Sequence, residues 1–111
     1  MCGLVGFINK NKNEEILHDM LKIQDYRGPD DRGIFFDEKS GIHLGHNRLA
    51  IIDLSPKGHQ PFISSCSNYV IVFNGEIFNF ASIRDELMKL GESFLSNTDT
   101  EVALYAYKHW G

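Results

Sequence analysis

Six residues in this sequence could do chemistry together: Cys2, Arg48, Asn74, Gly75, Glu76 and Asp99. Cys2 follows Met1, and methionine aminopeptidase removes an initiator methionine when the next residue is small. Cleavage leaves a thiol and a free α-amine on one residue. An unperturbed thiol, with a pKa of ~8.5, is only a few per cent thiolate near neutrality. A free α-amine titrates at ~7.7–8.0 and can accept that proton at physiological pH. Nucleophile and base then sit a few bonds apart, and no histidine is needed. The alternative for Cys2 is a small buried hydrophobe opening a strand, and one residue is a weak motif by itself.

The other five residues suit a zwitterionic amino acid with a side-chain amide, and free glutamine is such a molecule. Arg48 can hold an α-carboxylate through two parallel hydrogen bonds. Glu76 and Asp99 can hold an α-ammonium. Attack on the side-chain amide creates an oxyanion, for which the Asn74 side-chain amide and the Gly75 N–H are two donors. Gly75 has no Cβ, so its backbone can approach a reacting carbonyl closely. Each residue also has a purely structural alternative. Asn74-Gly75 reads as a hairpin turn, Asp99 as a residue of a helix first turn, and Arg48 as a strand charge facing water.

These residues need elements to carry them. Cys2–Ile8 (CGLVGFI) reads as a buried strand. Asn13 caps a helix that carries Glu14 and Glu15 in its first turn, with Ile16, Leu17, Met20, Leu21 and Gln24 at helical spacing. Tyr26–Arg32 is a turn-forming loop. Gly33–Asp37 and Ile42–Ile52 read as strands joined by a tight turn at Glu38–Gly41. Asp53–Pro61 is a loop, and Tyr69–Phe73 a buried strand. Ser82–Leu90 reads as a helix with Ile83, Leu87 and Leu90 on one face, ended by Gly91. Phe94–Ser96 suits a short strand. Thr98 and Glu101 match a capping box that opens a last helix with Val102, Leu104, Tyr105 and Trp110. The order of elements indicates a mixed α and β chain with antiparallel pairing.

With 111 residues, the sequence fits one domain. Hydrophobic residues make up 42%, eight of them Phe, which is enough for a core. The net charge of -4 and the lack of a basic stripe argue against nucleic acid. No apolar run approaches the ~20 residues of a membrane span, and the N-terminus does not read as a signal peptide. Two cysteines are too few for the disulfide framework of a small secreted domain, so a cytoplasmic chain is expected. His18, His43, His46, His59 and His109 do not fall at metal-ligand spacing with the cysteines, so no metal is expected. Cys66 reads as a loop thiol. A phosphate-binding loop pattern is absent.

Six ordered segments resemble the glutaminase domain of glutamine-hydrolysing asparagine synthetases: MCGLVGF, RGPDD (Arg27–Asp31), HNRLAIIDL (His46–Leu54), GHQPF (Gly58–Phe62), FNGEIFN (Phe73–Asn79) and SNTDTE (Ser96–Glu101). Glucosamine-6-phosphate synthase and phosphoribosyl-pyrophosphate amidotransferase share the opening MCG but lack the RGPDD and HNRLAIID–GHQP stretches. The resemblance implies an α+β fold of the N-terminal-nucleophile hydrolase type, a four-layer sandwich of two antiparallel sheets between helices. This chain would supply only its N-terminal part, over residues 1–111, and an isolated chain of this extent is expected to be inactive. The rest of that domain and a synthetase domain using ATP and Mg would lie outside the chain.

By position the resemblance implies Cys2 as nucleophile, Asn74 and Gly75 as oxyanion donors, and Arg48, Glu76 and Asp99 around the substrate. The Leu49, Ala50, Ile51 and Ile52 backbone would line the same pocket. Phe78 stands where the family often has Tyr, at the cost of at most one hydrogen bond. The implied reaction converts L-glutamine to glutamate and ammonia, with the synthetase domain of the same parent as partner and homodimerisation of that parent as a further expectation. Alternatives are another ammonia acceptor, such as a sugar carboxylate, and a silent glutamine-binding fragment.

Overall fold

A computed structural model describes every residue from Met1 to Gly111. Its elements follow in the order β1 (Gly3–Ile8), α1 (Glu14–Ile23), β2 (Asp31–Asp37), β3 (Ile42–Arg48), β4 (Phe62–Ile63), β5 (Val70–Ile71), α2 (Phe80–Lys89) and α3 (Asp99–Trp110). Single 3-10 turns occupy Asp25–Arg27 and Pro56–Gly58. One sheet has strand order β1-β3-β2, and a second contains only β4 and β5; all pairs are antiparallel. The chain is therefore α+β. Its shortest dimension of 19 Å accommodates two layers, not four.

Helix α1 lies across one face of the larger sheet. Its cap forms as its sequence predicts, with the Asn13 side chain accepting from the Ile16 N–H at 3.2 Å. Leu17 and Leu21 are fully buried against Val5, with Phe7, Met20 and Ile34 packed around them. Full burial of a leucine contributes about 1.5–3 kcal/mol, so this small cluster is what attaches the helix to the sheet. A second cluster of Leu87, Val102 and Tyr105 joins α2 to α3, with Ile83 and Phe94 against it. The site described below lies between these two clusters.

Several elements differ from expectation, and diverted backbone hydrogen bonds explain most of the differences. Strand β3 stops at Arg48 instead of running to Ile52. The Arg48 carbonyl accepts from the Asp30 N–H at 3.0 Å, and the Ala50 N–H donates to the Asp30 carboxylate at 2.8 Å, so the RGPDD loop takes over the ladder. Strand β2 starts at Asp31 because Asp31 pairs with Arg48 across the sheet. The pairing of Tyr69–Phe73 shrinks to Val70 and Ile71, since side chains take both polar groups of the Phe73 backbone. Its partner β4 falls within sequence that carries no alternating pattern of its own.

No strand forms at Phe94–Ser96, because the Glu101 carboxylate binds the N–H groups of Leu95 and Ser96. Thr98 does cap α3, accepting from the Glu101 N–H at 3.3 Å. The Glu101 side chain then reaches further back than a capping box requires. Helix α2 starts at Phe80, and Leu90 at its end is 54% exposed, off the buried face. Gly91, with φ +99, ends that helix as expected. Strand β1 is buried on one face only, and Leu4 and Ile8 point outward. No helix is long and apolar enough to cross a membrane.

Candidate active site

Cys2 sits at the entry to β1, held from three directions. Its Sγ accepts from the Leu49 N–H at 3.2 Å and lies 3.6 Å from the Leu49 carbonyl. Its own carbonyl accepts from Arg27 Nε at 3.2 Å. The next residue, Gly3, is paired with Asn47 of β3. The first residue of RGPDD and the start of the 49–52 segment thus fix where the sulfur stands.

Arg48 ends β3 and is 7% exposed, so it is not a strand charge facing water. Its guanidinium donates to the Ser55 carbonyl at 2.7 Å and also to the Asp53 carbonyl. Two carbonyls leave part of its five-donor fork free for a carboxylate. A Cβ on Gly58 would stand 2.1 Å from the guanidinium, so a larger residue there would displace Arg48 from its two carbonyls. Asp53 extends the network: its carboxylate accepts from the Asn97 N–H at 2.9 Å and the Ser55 N–H at 2.8 Å. Hydrogen bonds from Ser55, then Asn97, hold that carboxyl down at about 2.

Asn74 and Gly75 follow β5 as an open bend and do not form the hairpin turn that the dipeptide suggests. Three side chains pin this segment instead. The Phe73 N–H donates to Gln60 Oε1 at 2.7 Å, His46 Nε2 meets the Phe73 carbonyl at 3.1 Å, and the Ile77 N–H donates to Asp99 Oδ2 at 3.0 Å. Burial pushes the His46 imidazole pKa down, which keeps it neutral near pH 7. Asp99 is therefore both a first-turn residue of α3 and a buried carboxylate tied to the Asn74 loop. Glu76 is exposed at the rim.

These groups face one cleft that is open to solvent. Cys2, Arg48, Asn74, Gly75, Glu76 and Asp99 all line it, and Leu49, Ile51 and Ile52 add a mostly apolar wall. Ala50 is the exception: it turns into a neighbouring depression with Asp30 and His59, drawn there by its bond to Asp30. The sequence reading passed over Gln60, Thr100, Asp53 and Gly58, which line the cleft too. The signal for Gln60 is its place between His59 and Pro61 in the GHQPF segment, where the resemblance gives it no role. Nowhere do three His, Cys, Asp or Glu side chains converge in a way that could hold a metal ion.

The charge arrangement gives a direct test. In Asp99→Asn the amide oxygen still accepts from Ile77, so the variant removes charge and keeps the loop. If glutamine is held here as the resemblance implies, its KM in the full-length protein should rise by ~30–10³-fold, about 2–4 kcal/mol, with kcat little changed in steady-state glutamate release. Arg48→Ala should raise that KM by a similar factor. It should also lower the thermal midpoint, because the Asp53 and Ser55 carbonyls lose their donor.

Comparison with known proteins places the chain. A family model described as a glutamine amidotransferase domain matches residues 1–111, and the chain belongs to that family. Within it, the relatives include glutamine-hydrolysing asparagine synthetase 1 of Bacillus subtilis (strain 168), 41% identical over 99% of this chain and 18% of that protein. Asparagine synthetase 3 of the same organism is 33% identical over 99% of this chain and 18% of that protein. Amidase chry2 of Gibberella zeae is 35% identical over the whole chain and 18% of its own length. The chain spans about a fifth of the length of these curated relatives, 18% in each case.

Proposed function

We propose that these residues hydrolyse L-glutamine to glutamate and ammonia, as the glutaminase part of an asparagine-synthetase-type enzyme. The observation that carries this reading is the convergence of the Cys2 thiol, Arg48, Asn74, Gly75 and Asp99 on one cleft. After Met1 is removed, the Cys2 α-amine takes the Sγ proton as sulfur attacks the δ-carbon of glutamine. Asn74 Nδ2 and the Gly75 N–H receive the oxyanion. The C–N bond breaks, ammonia leaves with the proton returned by the α-ammonium, and a γ-glutamyl thioester remains on Cys2. Water then releases glutamate and restores the thiol. Arg48, Glu76 and Asp99 hold the two charged ends of the substrate throughout.

In this reading the ammonia serves ATP-dependent synthesis of asparagine from aspartate in a synthetase domain of the same parent chain. ATP and Mg belong to that domain, and no step carried by these residues uses them. The four-layer hydrolase fold would place a second sheet over the outward face of β1 and β3, where Leu4, Ile8 and Ile42 are exposed. A second reading is favoured by the likeness to amidase chry2: the same glutaminase chemistry, with ammonia passed to an acceptor other than aspartate.

The α-amine gives the test. Intact-mass measurement of the active full-length protein should show Met1 absent. An uncleavable N-terminal extension should silence glutamine turnover while ammonia-dependent synthesis continues, because the extension removes the base. Full glutaminase activity in a protein shown to retain the extension would contradict this mechanism.

A further inference from the structure

Two buried polar side chains outside the assigned set, Gln60 and His46, converge on a single residue of backbone, Phe73, directly before Asn74. The regular ladder ends at Ile71, so nothing in the sheet fixes the chain beyond it. Gln60 Oε1 accepts from the Phe73 N–H at 2.7 Å, while Gln60 Nε2 donates to Thr100 Oγ1 at 3.2 Å in the first turn of α3. Gln60 is 6% exposed, and its carbonyl lies so near Gly33 of β2 that a Cβ there would approach it to 2.0 Å. From the opposite side, His46 Nε2 stands 3.1 Å from the Phe73 carbonyl. A carbonyl can only accept, so Nε2 carries the hydrogen and Nδ1 is a bare lone pair. That Nδ1 is buried without any partner. The ring therefore leaves one nitrogen unsatisfied while holding this carbonyl.

We propose that Gln60, anchored by Thr100 and paired with His46, is the positioning residue that sets the Asn74 and Gly75 donors against Cys2. The proposal rests on the glutaminase reading above. Holding both polar groups of Phe73 fixes the two peptide planes that meet at that residue, and hence the direction in which Asn74 leaves. The anchor matters because Thr100 is the neighbour of Asp99, which binds the Ile77 N–H at the far end of the same loop. The first turn of α3 thus brackets the oxyanion segment at both ends, once through Gln60 and once directly. Gln60 acts through the backbone of another residue, so its loss should disturb the transition state more than the bound substrate.

Steady-state kinetics of the full-length protein decide this. Wild type must hydrolyse glutamine and Cys2→Ala must not, which tests the underlying reading separately. Gln60→Met, close in volume but without the amide, should lower kcat by about 10–10²-fold and leave KM within about threefold. Thr100→Val should lower kcat in the same sense, and Thr100→Ser, which keeps the hydroxyl, should restore it. The double variant Gln60→Met/Thr100→Val should fall no further than Gln60→Met alone. If Gln60→Met does not fold, the Thr100 pair reads the same link from its other end.

An active wild type with an unchanged kcat in Gln60→Met or Thr100→Val overturns the proposal alone. A rise in KM at constant kcat overturns it too, since Gln60 would then be touching glutamine. A wild type without turnover overturns the glutaminase reading and this proposal with it.

Discussion

Cys2→Ala in the full-length protein is expected to lower glutamine hydrolysis by ~10⁴-fold or more, the scale on which loss of a covalent nucleophile acts. Ammonia-dependent synthesis should persist, since it needs no thiol. Cys2→Ser should be nearly as damaging, because a hydroxyl is far harder to ionise and the α-amine is matched to a thiol. The structure adds a reason to expect a clean result. Cys2 Sγ makes its contacts with the backbone of Leu49, and Arg27 and the β1–β3 ladder hold the rest of the residue. Alanine therefore removes the sulfur without loosening the strand, and a circular dichroism spectrum should match wild type. Normal turnover by Cys2→Ala would end the assignment.

The second large effect is expected at Asn74. Asn74→Ala should lower kcat by ~10²–10³-fold with little change in KM, because a donor to the oxyanion acts in the transition state. This is the opposite signature to Asp99→Asn, whose loss falls on KM. Asn74 makes no side-chain hydrogen bond that holds the loop, whereas Phe73 and Ile77 on either side are pinned by Gln60, His46 and Asp99. Truncation should thus delete the donor and leave the segment in place. Stopped assays of glutamate release across a range of glutamine concentrations separate the two parameters. A pure KM effect at Asn74 would mean that it binds ground-state substrate instead.

Much of this could be read from the sequence where a signal is local. The Asn13 cap, the buried stripe of Leu17 and Leu21, the Gly91 stop and the Thr98 cap each depend on residues within one turn. The proposed contacts were also legible as types: Arg48, the Asn74-Gly75 pair, Glu76 and Asp99 reach the cleft with Cys2. What escaped depends on partners outside the segment itself. The end of β3 at Arg48 is set by Asp30, the absence of a strand at Phe94–Ser96 by Glu101, and the pinning of Phe73 by Gln60 and His46. In each case a side chain from outside the segment, five residues away for Glu101 and Ser96 and 27 for His46 and Phe73, captures backbone groups that periodicity would assign to a ladder. Ala50 left the cleft for the same reason, and no pattern within HNRLAIIDL distinguishes it from its neighbours.

The claim that Cys2 is the nucleophile of a glutamine site has a built-in control, because the chain holds one other thiol. Cys66 is exposed, and a hydrogen bond from Ser64 holds its pKa below the usual thiol value, so it is the obvious competitor for any electrophile. The direct measurement is to treat the full-length protein with a glutamine analogue carrying an electrophilic ketone in place of the amide, then map the adduct by tandem mass spectrometry. The account predicts one addition, on the sulfur of a peptide that begins at Cys2, with glutamine protecting against it. Modification of Cys66 in preference to Cys2, or labelling of Cys2 that glutamine does not slow, would contradict it.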